Sequence, residues 1–141
     1  MEKILILGGT AQQIKLVEAA KRKGLYTIVV DYLKDSPAKR IADKSYMNDI
    51  NDVDGIVQLC KEEGVNGVIC GYIDPCQRPY QKICSQLNVP CYGSEEQFYL
   101  MKDKHAFKKM CIENGVGTIK EYQENDQDIE FPVFVKPVDS R

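Results

Sequence analysis

Three places in this 141-residue chain combine residue types and spacing that can do chemistry. Gly8, Gly9 and Thr10 directly follow the apolar run at residues 4–7. Glycines after a strand leave backbone N–H groups open to a ligand, and a threonine can cap the helix that follows. Asp31 closes a second run, residues 26–30, rich in β-branched residues. It stands about twenty residues past the glycines, the spacing at which a dinucleotide fold holds a ribose. Gly71, Tyr72 and Asp74 follow a third run, residues 67–70, and are second-rank candidates for substrate contact. Each has a purely structural alternative: a tight turn for Gly8 to Thr10, a strand-end acid capping its own turn for Asp31, and a capped helix start for Gly71 to Asp74. Lys136, between Val135 and Pro137, would point a compact positive charge from a strand end toward phosphate oxygens. Its alternative is a solvated lysine closing an edge strand.

The remaining reactive side chains suggest little. Cys60, Cys84 and Cys111 fall on apolar faces of predicted helices, Cys70 ends a predicted strand, and no C-x-x-C pair occurs among the six cysteines. His105, the one histidine, has no cysteine or histidine at zinc-ligand spacing. Buried free thiols and no metal site are expected. The net charge of −2, with 28% charged residues of mixed sign, gives no basic face for nucleic acid and no polybasic stretch for a membrane. Small molecules are the expected ligands. The start MEKILILGG lacks signal-peptide features, and no apolar run approaches the roughly 20 residues of a membrane span, so a cytoplasmic chain is expected.

The elements that must position these residues follow from periodicity. Four apolar residues at 4–7 without polar alternation read as a strand buried on both faces. The next segment places Ile14, Leu16, Val17 and Ala20 on one helical face and ends at Gly24. Strands are further expected at 26–30, 67–70 and, briefly, around Tyr46, Cys91 and 133–135. Helices are expected after Asn51 or Asp52, after Asp74-Pro75 with Tyr80, Ile83, Cys84 and Leu87 inward, after Ser94, and after Asp103 with Phe107, Met110 and Cys111 inward. Short strands alternating with helical segments imply a parallel sheet, a Rossmann-like α/β fold. One core fits this length; two ordinary domains do not.

Three stretches recur in a telling order: ILILGGT at the start, YGS followed by DK-x-x-F-K at a helix start, and PVFVKPVDS near the end. Together they resemble the ATP-grasp superfamily of carboxylate-amine ligases, its carbamoyl-phosphate-synthase-like and biotin-carboxylase-like members. The resemblance implies a pre-ATP-grasp domain over residues 1–93, and linker helices with the first strands of an ATP-grasp domain over 94–141. It implies that Lys104 and Lys136 contact ATP phosphates, with Ser140 in the glycine-rich loop that closes over them. ATP and Mg²⁺ would be the cofactors and a small carboxylate the partner; a homodimer is possible. The family's magnesium ligands and catalytic arginine would lie beyond residue 141, so the fragment alone is expected to be inactive. Two other readings stand beside it. One is a nicotinamide-binding Rossmann module with Asp31 on the ribose, although Thr10 and Gln13 occupy the second and third glycine positions of G-x-G-x-x-G. The other is a non-catalytic small-molecule-binding subunit.

Overall fold

The computed structural model describes residues 1–123 and 125–135. Its contacts divide the chain into two compact units, Met1–Phe98 and Tyr99–Arg141.

The first unit is built on four parallel strands, β1 (Lys3–Leu7), β2 (Tyr26–Asp31), β3 (Lys44–Met47) and β4 (Gly67–Ile69), in the order β3-β2-β1-β4. Between β1 and β2, a 3-10 turn (Ala11–Gln13) runs into α1 (Ile14–Arg22). A second 3-10 turn (Pro37–Arg40) precedes β3; α2 (Val53–Glu63) joins β3 to β4, and α3 (Asp74–Leu87) follows β4. The sheet is covered on both faces because its central strands, β1 and β2, carry apolar side chains toward both sides. Leu5, Leu7, Ile28 and Val30 pack with Ile56, Val57 and Cys60 of α2 and with Tyr80, Ile83 and Cys84 of α3. Ile6 and Val29, one residue out of phase, pack instead with Val17 of α1 and Ala38. Burial of each such side chain contributes about 1.5–3 kcal/mol.

Helix ends follow local chemistry. Asp52 accepts the Gly55 N–H and starts α2, and Gly64, in the left-handed region at φ 68°, ends it. Ser94 and Gln97 form a reciprocal capping box at the start of α4 (Glu95–Lys102): the Ser94 N–H donates to Gln97 Oε1 and the Gln97 N–H to Ser94 Oγ. Asp103 accepts the His105 and Ala106 N–H groups and starts α5 (Lys104–Glu113).

Several expectations require correction. Thr10 stands before the first 3-10 turn, but its hydroxyl donates to Gln13 Oε1 rather than accepting a backbone N–H. Asp74, not Pro75, is the first residue of α3, and that helix tolerates Pro79 in its interior. Residues 91–92 form no strand; Tyr92 is held by side-chain hydrogen bonds instead. Residues 133–135 are exposed and form no strand, since a strand needs a neighbour for its N–H and C=O groups and no described segment pairs with them. In the second unit, α5 has no buried residue; Phe107 is 46% exposed, so the inward face read from its spacing is not realised among the described residues.

Candidate functional site

β1 is flanked by β2 on one side and β4 on the other, so the strand order reverses there. Chains leaving neighbouring strands at such a point diverge and open a crevice at the carboxyl edge of the sheet. The parallel register carries the sequence candidates to this edge. Leu7 lies opposite Val30 and Ile6 opposite Ile69, which brings Gly8 level with Asp31 and with Gly71. Gly8 still donates to the Val30 carbonyl at 2.8 Å, extending the ladder one residue past the strand.

The glycine turn is packed from beneath. Gly8 has φ 89°, and a Cβ there would meet Gln13 Nε2 at 2.7 Å and Cys76 Sγ at 3.4 Å. Gln13, itself buried, donates to the Leu7 carbonyl and accepts from Thr10. A Cβ on Gly9 would meet Ser36 Oγ at 2.0 Å. Gly8 and Gly9 are buried and Thr10 is exposed, so the surface a ligand can reach begins at Thr10. The N–H groups of Thr10, Ala11 and Gln12 take no acceptor among the described residues.

Asp31 is 5% exposed. Its Oδ2 accepts the Gly9 N–H at 2.7 Å and its Oδ1 the Leu33 N–H at 2.8 Å, while its backbone carbonyl accepts from the Lys39 ammonium at 2.8 Å. Lys39, almost fully buried, also donates to the Leu33 carbonyl. Asp31 thus ties β2 and its following loop to the glycine turn. On the β4 side of this edge, Gly71 adopts φ 67°, Tyr72 is exposed, and Asp74 opens α3 with Gln77 Nε2 at 3.5 Å from its Oδ1. The nearby thiols are packing groups: burial pushes Cys70 up to about 11 and Cys76 up to about 12, so both stay protonated near neutrality. All six cysteines are free, and no group of His, Cys, Asp and Glu among the described residues could hold a metal ion.

Gly8, Gly9, Thr10, Asp31, Gly71 and Asp74 therefore share one edge. Lys104 is the exposed first residue of α5, in the second unit. Lys136 and Ser140 lie outside the described residues. Gln13, Ser36, Lys39, Cys76 and Tyr92 escaped the reading of the sequence. Only Gln13 carried a signal, as the residue in the third glycine position.

A parallel 3-2-1-4 sheet covered on both faces, with a glycine turn at the reversal of strand order, defines a Rossmann-like domain. Gln13 packs beneath its first turn, at the position where the dinucleotide fingerprint has a glycine for close helix–strand packing. Residues 4–77, just over half of the chain, match the family model "PylC-like, N-terminal domain", and the chain belongs to that family. It is also similar, at 26% identity over 153 residues, to the formate-dependent phosphoribosylglycinamide formyltransferase of Francisella tularensis subsp. tularensis. That match covers 96% of this chain and 37% of the relative. Among solved structures, phosphoribosylglycinamide synthetase from Anaerococcus prevotii superposes with a TM-score of 0.69 at 26% identity, covering 83% of this chain and 30% of that one. L-amino acid ligase from Bacillus licheniformis shares the fold, with a TM-score of 0.75 at 20% identity over 99% of this chain and 38% of that one. These relatives are ATP-grasp ligases, and the chain spans less than two fifths of their length, corresponding to their N-terminal part.

Proposed function

We propose that this chain is the acceptor-side part of an ATP-dependent carboxylate-amine ligase. The observation that carries the reading is the convergence of Gly8 to Thr10, Asp31 and Gly71 to Asp74 on the sheet's carboxyl edge in a chain similar to such ligases. In the whole protein, a substrate carboxylate oxygen takes the γ-phosphoryl group of ATP, ADP leaves, and an amine attacks the acyl carbon to release phosphate. A carboxylate is a poor electrophile, and its phosphorylation concentrates negative charge that cations and aimed N–H groups must offset. On this reading the N–H groups at Thr10 to Gln12 and the Gly71–Asp74 loop hold the acceptor, and Asp31 keeps the turn in place.

Lys104, Lys136 and Ser140 are assigned to the ATP phosphates by the family resemblance. Mg²⁺ belongs to the same proposal, with its ligands outside the described residues, which form no metal site. No helix among the described residues is long and apolar enough to cross a membrane. A cytoplasmic location, a small carboxylate partner and a homodimer complete the reading. The division into a pre-ATP-grasp domain at 1–93 and the start of an ATP-grasp domain at 94–141 is part of it.

The test is ADP release by the full-length protein over a panel of carboxylates and amines. Release that requires both a carboxylate and ATP is expected, with Lys104→Ala raising the KM for ATP. Absence of release across the panel, together with NADH binding that Asp31→Ala abolishes, would replace the proposal by a dinucleotide-binding module.

A further inference from the structure

The hydroxyl of Tyr92 donates to the Gly71 carbonyl at 2.5 Å, and the Cys70 thiol lies 2.8 Å from that hydroxyl oxygen and 3.6 Å from the Gly71 carbonyl oxygen. The phenol has one proton, so the thiol is the donor in the second contact. Packing of the ring does not need this hydroxyl. Tyr92 stacks on Tyr80 with centroids 4.5 Å apart, Phe98 meets both rings edge-on, and the Tyr92 N–H donates to the Tyr80 hydroxyl at 3.2 Å. A phenylalanine would make the same ring contacts. What the hydroxyl adds is a hold on one peptide group, the one between Gly71 and Tyr72.

That peptide lies where the chain leaves β4, level with the glycine turn after β1. It is trans, so its C=O and N–H point in opposite directions. With the carbonyl drawn toward Tyr92, the Tyr72 N–H faces away from it, and it takes no acceptor among the described residues. Gly71 has a left-handed φ of 67°, and a Cβ there would sit 3.1 Å from Leu16 Cδ1.

We propose that Tyr92 is a positioning residue for the carboxyl edge: by holding the Gly71 carbonyl it aims the Tyr72 N–H at an anionic oxygen of the ligand, a carboxylate or a phosphate. The proposal deepens the acceptor-site reading and rests on it for the ligand's identity, but not for its test. The test follows the Tyr72 amide of the 141-residue chain by ¹H–¹⁵N NMR during titration with sodium acetate and, separately, inorganic phosphate, each against sodium chloride at matched ionic strength. Saturable movement of the Tyr72 amide with acetate or phosphate is expected, and the responding arm names the oxygen's source. Tyr92→Phe should weaken that binding about fivefold, the worth of one net hydrogen bond. Cys70→Ala, which leaves the Tyr92–Gly71 bond intact, should not weaken it. A Tyr72 amide that responds to neither anion beyond the chloride control overturns the proposal. So does an unchanged affinity in a folded Tyr92→Phe variant. Failure of the ligase reading shows separately, as absence of ADP release from the full-length protein.

Discussion

The Asp31 carboxylate accepts the Gly9 N–H at 2.7 Å, joining the end of β2 to the turn that follows β1. Its second oxygen accepts the Leu33 N–H, so one buried side chain satisfies two backbone donors. Asp31→Ala leaves the Gly9 donor buried without a partner, and is expected to cost about 3 kcal/mol. Asp31→Asn, which keeps a single acceptor oxygen, should cost less. Urea denaturation measures both; a loss below about 1 kcal/mol for the alanine variant would remove Asp31 from its role in holding the turn.

Gly9 and Ser36 approach so closely that no side chain fits between them. A Cβ on Gly9 would lie 2.0 Å from Ser36 Oγ and 2.8 Å from Ser36 Cβ. Gly9→Ala is therefore expected to destabilise by about 3 kcal/mol, within the range of severe overpacking, with partial recovery in the Gly9→Ala/Ser36→Gly double variant. Ser36 Oγ itself is buried without a hydrogen-bond partner among the described residues. Ser36→Ala alone should consequently leave stability unchanged or raise it by up to about 1 kcal/mol. A large loss on thermal denaturation would show that the hydroxyl is bonded in solution.

Glu63, at the end of α2, gathers three donors at the opposite edge of the sheet: Lys44 at 2.6 Å, Tyr46 at 2.5 Å and Lys3 at 3.4 Å. The Lys44 ammonium first, then the Tyr46 hydroxyl, hold its carboxyl down at about 2. A depressed carboxylate contributes stability that is full above its unfolded pKa of about 4.5 and is lost as pH falls toward 2. Asp43, held at about 2 chiefly by Lys21, adds to the same window. The melting temperature should thus fall between pH 4.5 and 2, and Glu63→Gln should flatten that fall while lowering stability at pH 7. A Glu63→Gln profile parallel to the native one would contradict this assignment.

Phe98 belongs to α4 yet is 5% exposed, packed edge-on against Tyr80 and Tyr92. Phe98→Ala removes a buried ring from this cluster and is expected to cost about 3–4 kcal/mol. Tyr99→Ala, one residue on and half exposed, should cost under about 1 kcal/mol. Urea denaturation of the pair checks the contrast; equal losses would mean that α4 does not anchor through Phe98.

Features governed by neighbours along the chain were legible in the residues alone. The uninterrupted apolar run of β1 announced a strand buried on both faces, and the β-branched run of β2 announced a second strand. Asp52, Ser94 with Gln97, and Asp103 announced the starts of three helices, because a cap acts on N–H groups only two or three residues away. From these came the alternating α/β pattern, the parallel sheet, and the placing of Gly8, Asp31 and Gly71 at strand ends. Where periodicity was used to assign partners it went further than it could: the spacing of Phe107, Met110 and Cys111 marks a face that no described residue buries, and residues 133–135 have strand composition without a strand to pair with among the described residues.

Tertiary structure decided what those strand ends do. The Asp31–Gly9 bond, the contact of Ser36 with Gly9, the folding of Lys39 onto the Asp31 and Leu33 carbonyls, and the hold of Tyr92 on Gly71 each join residues brought together by strand register or loop return. Local propensity acts over a few residues, whereas these pairs exist only once parallel strands have aligned, and that alignment depends on packing against both layers of helices at once.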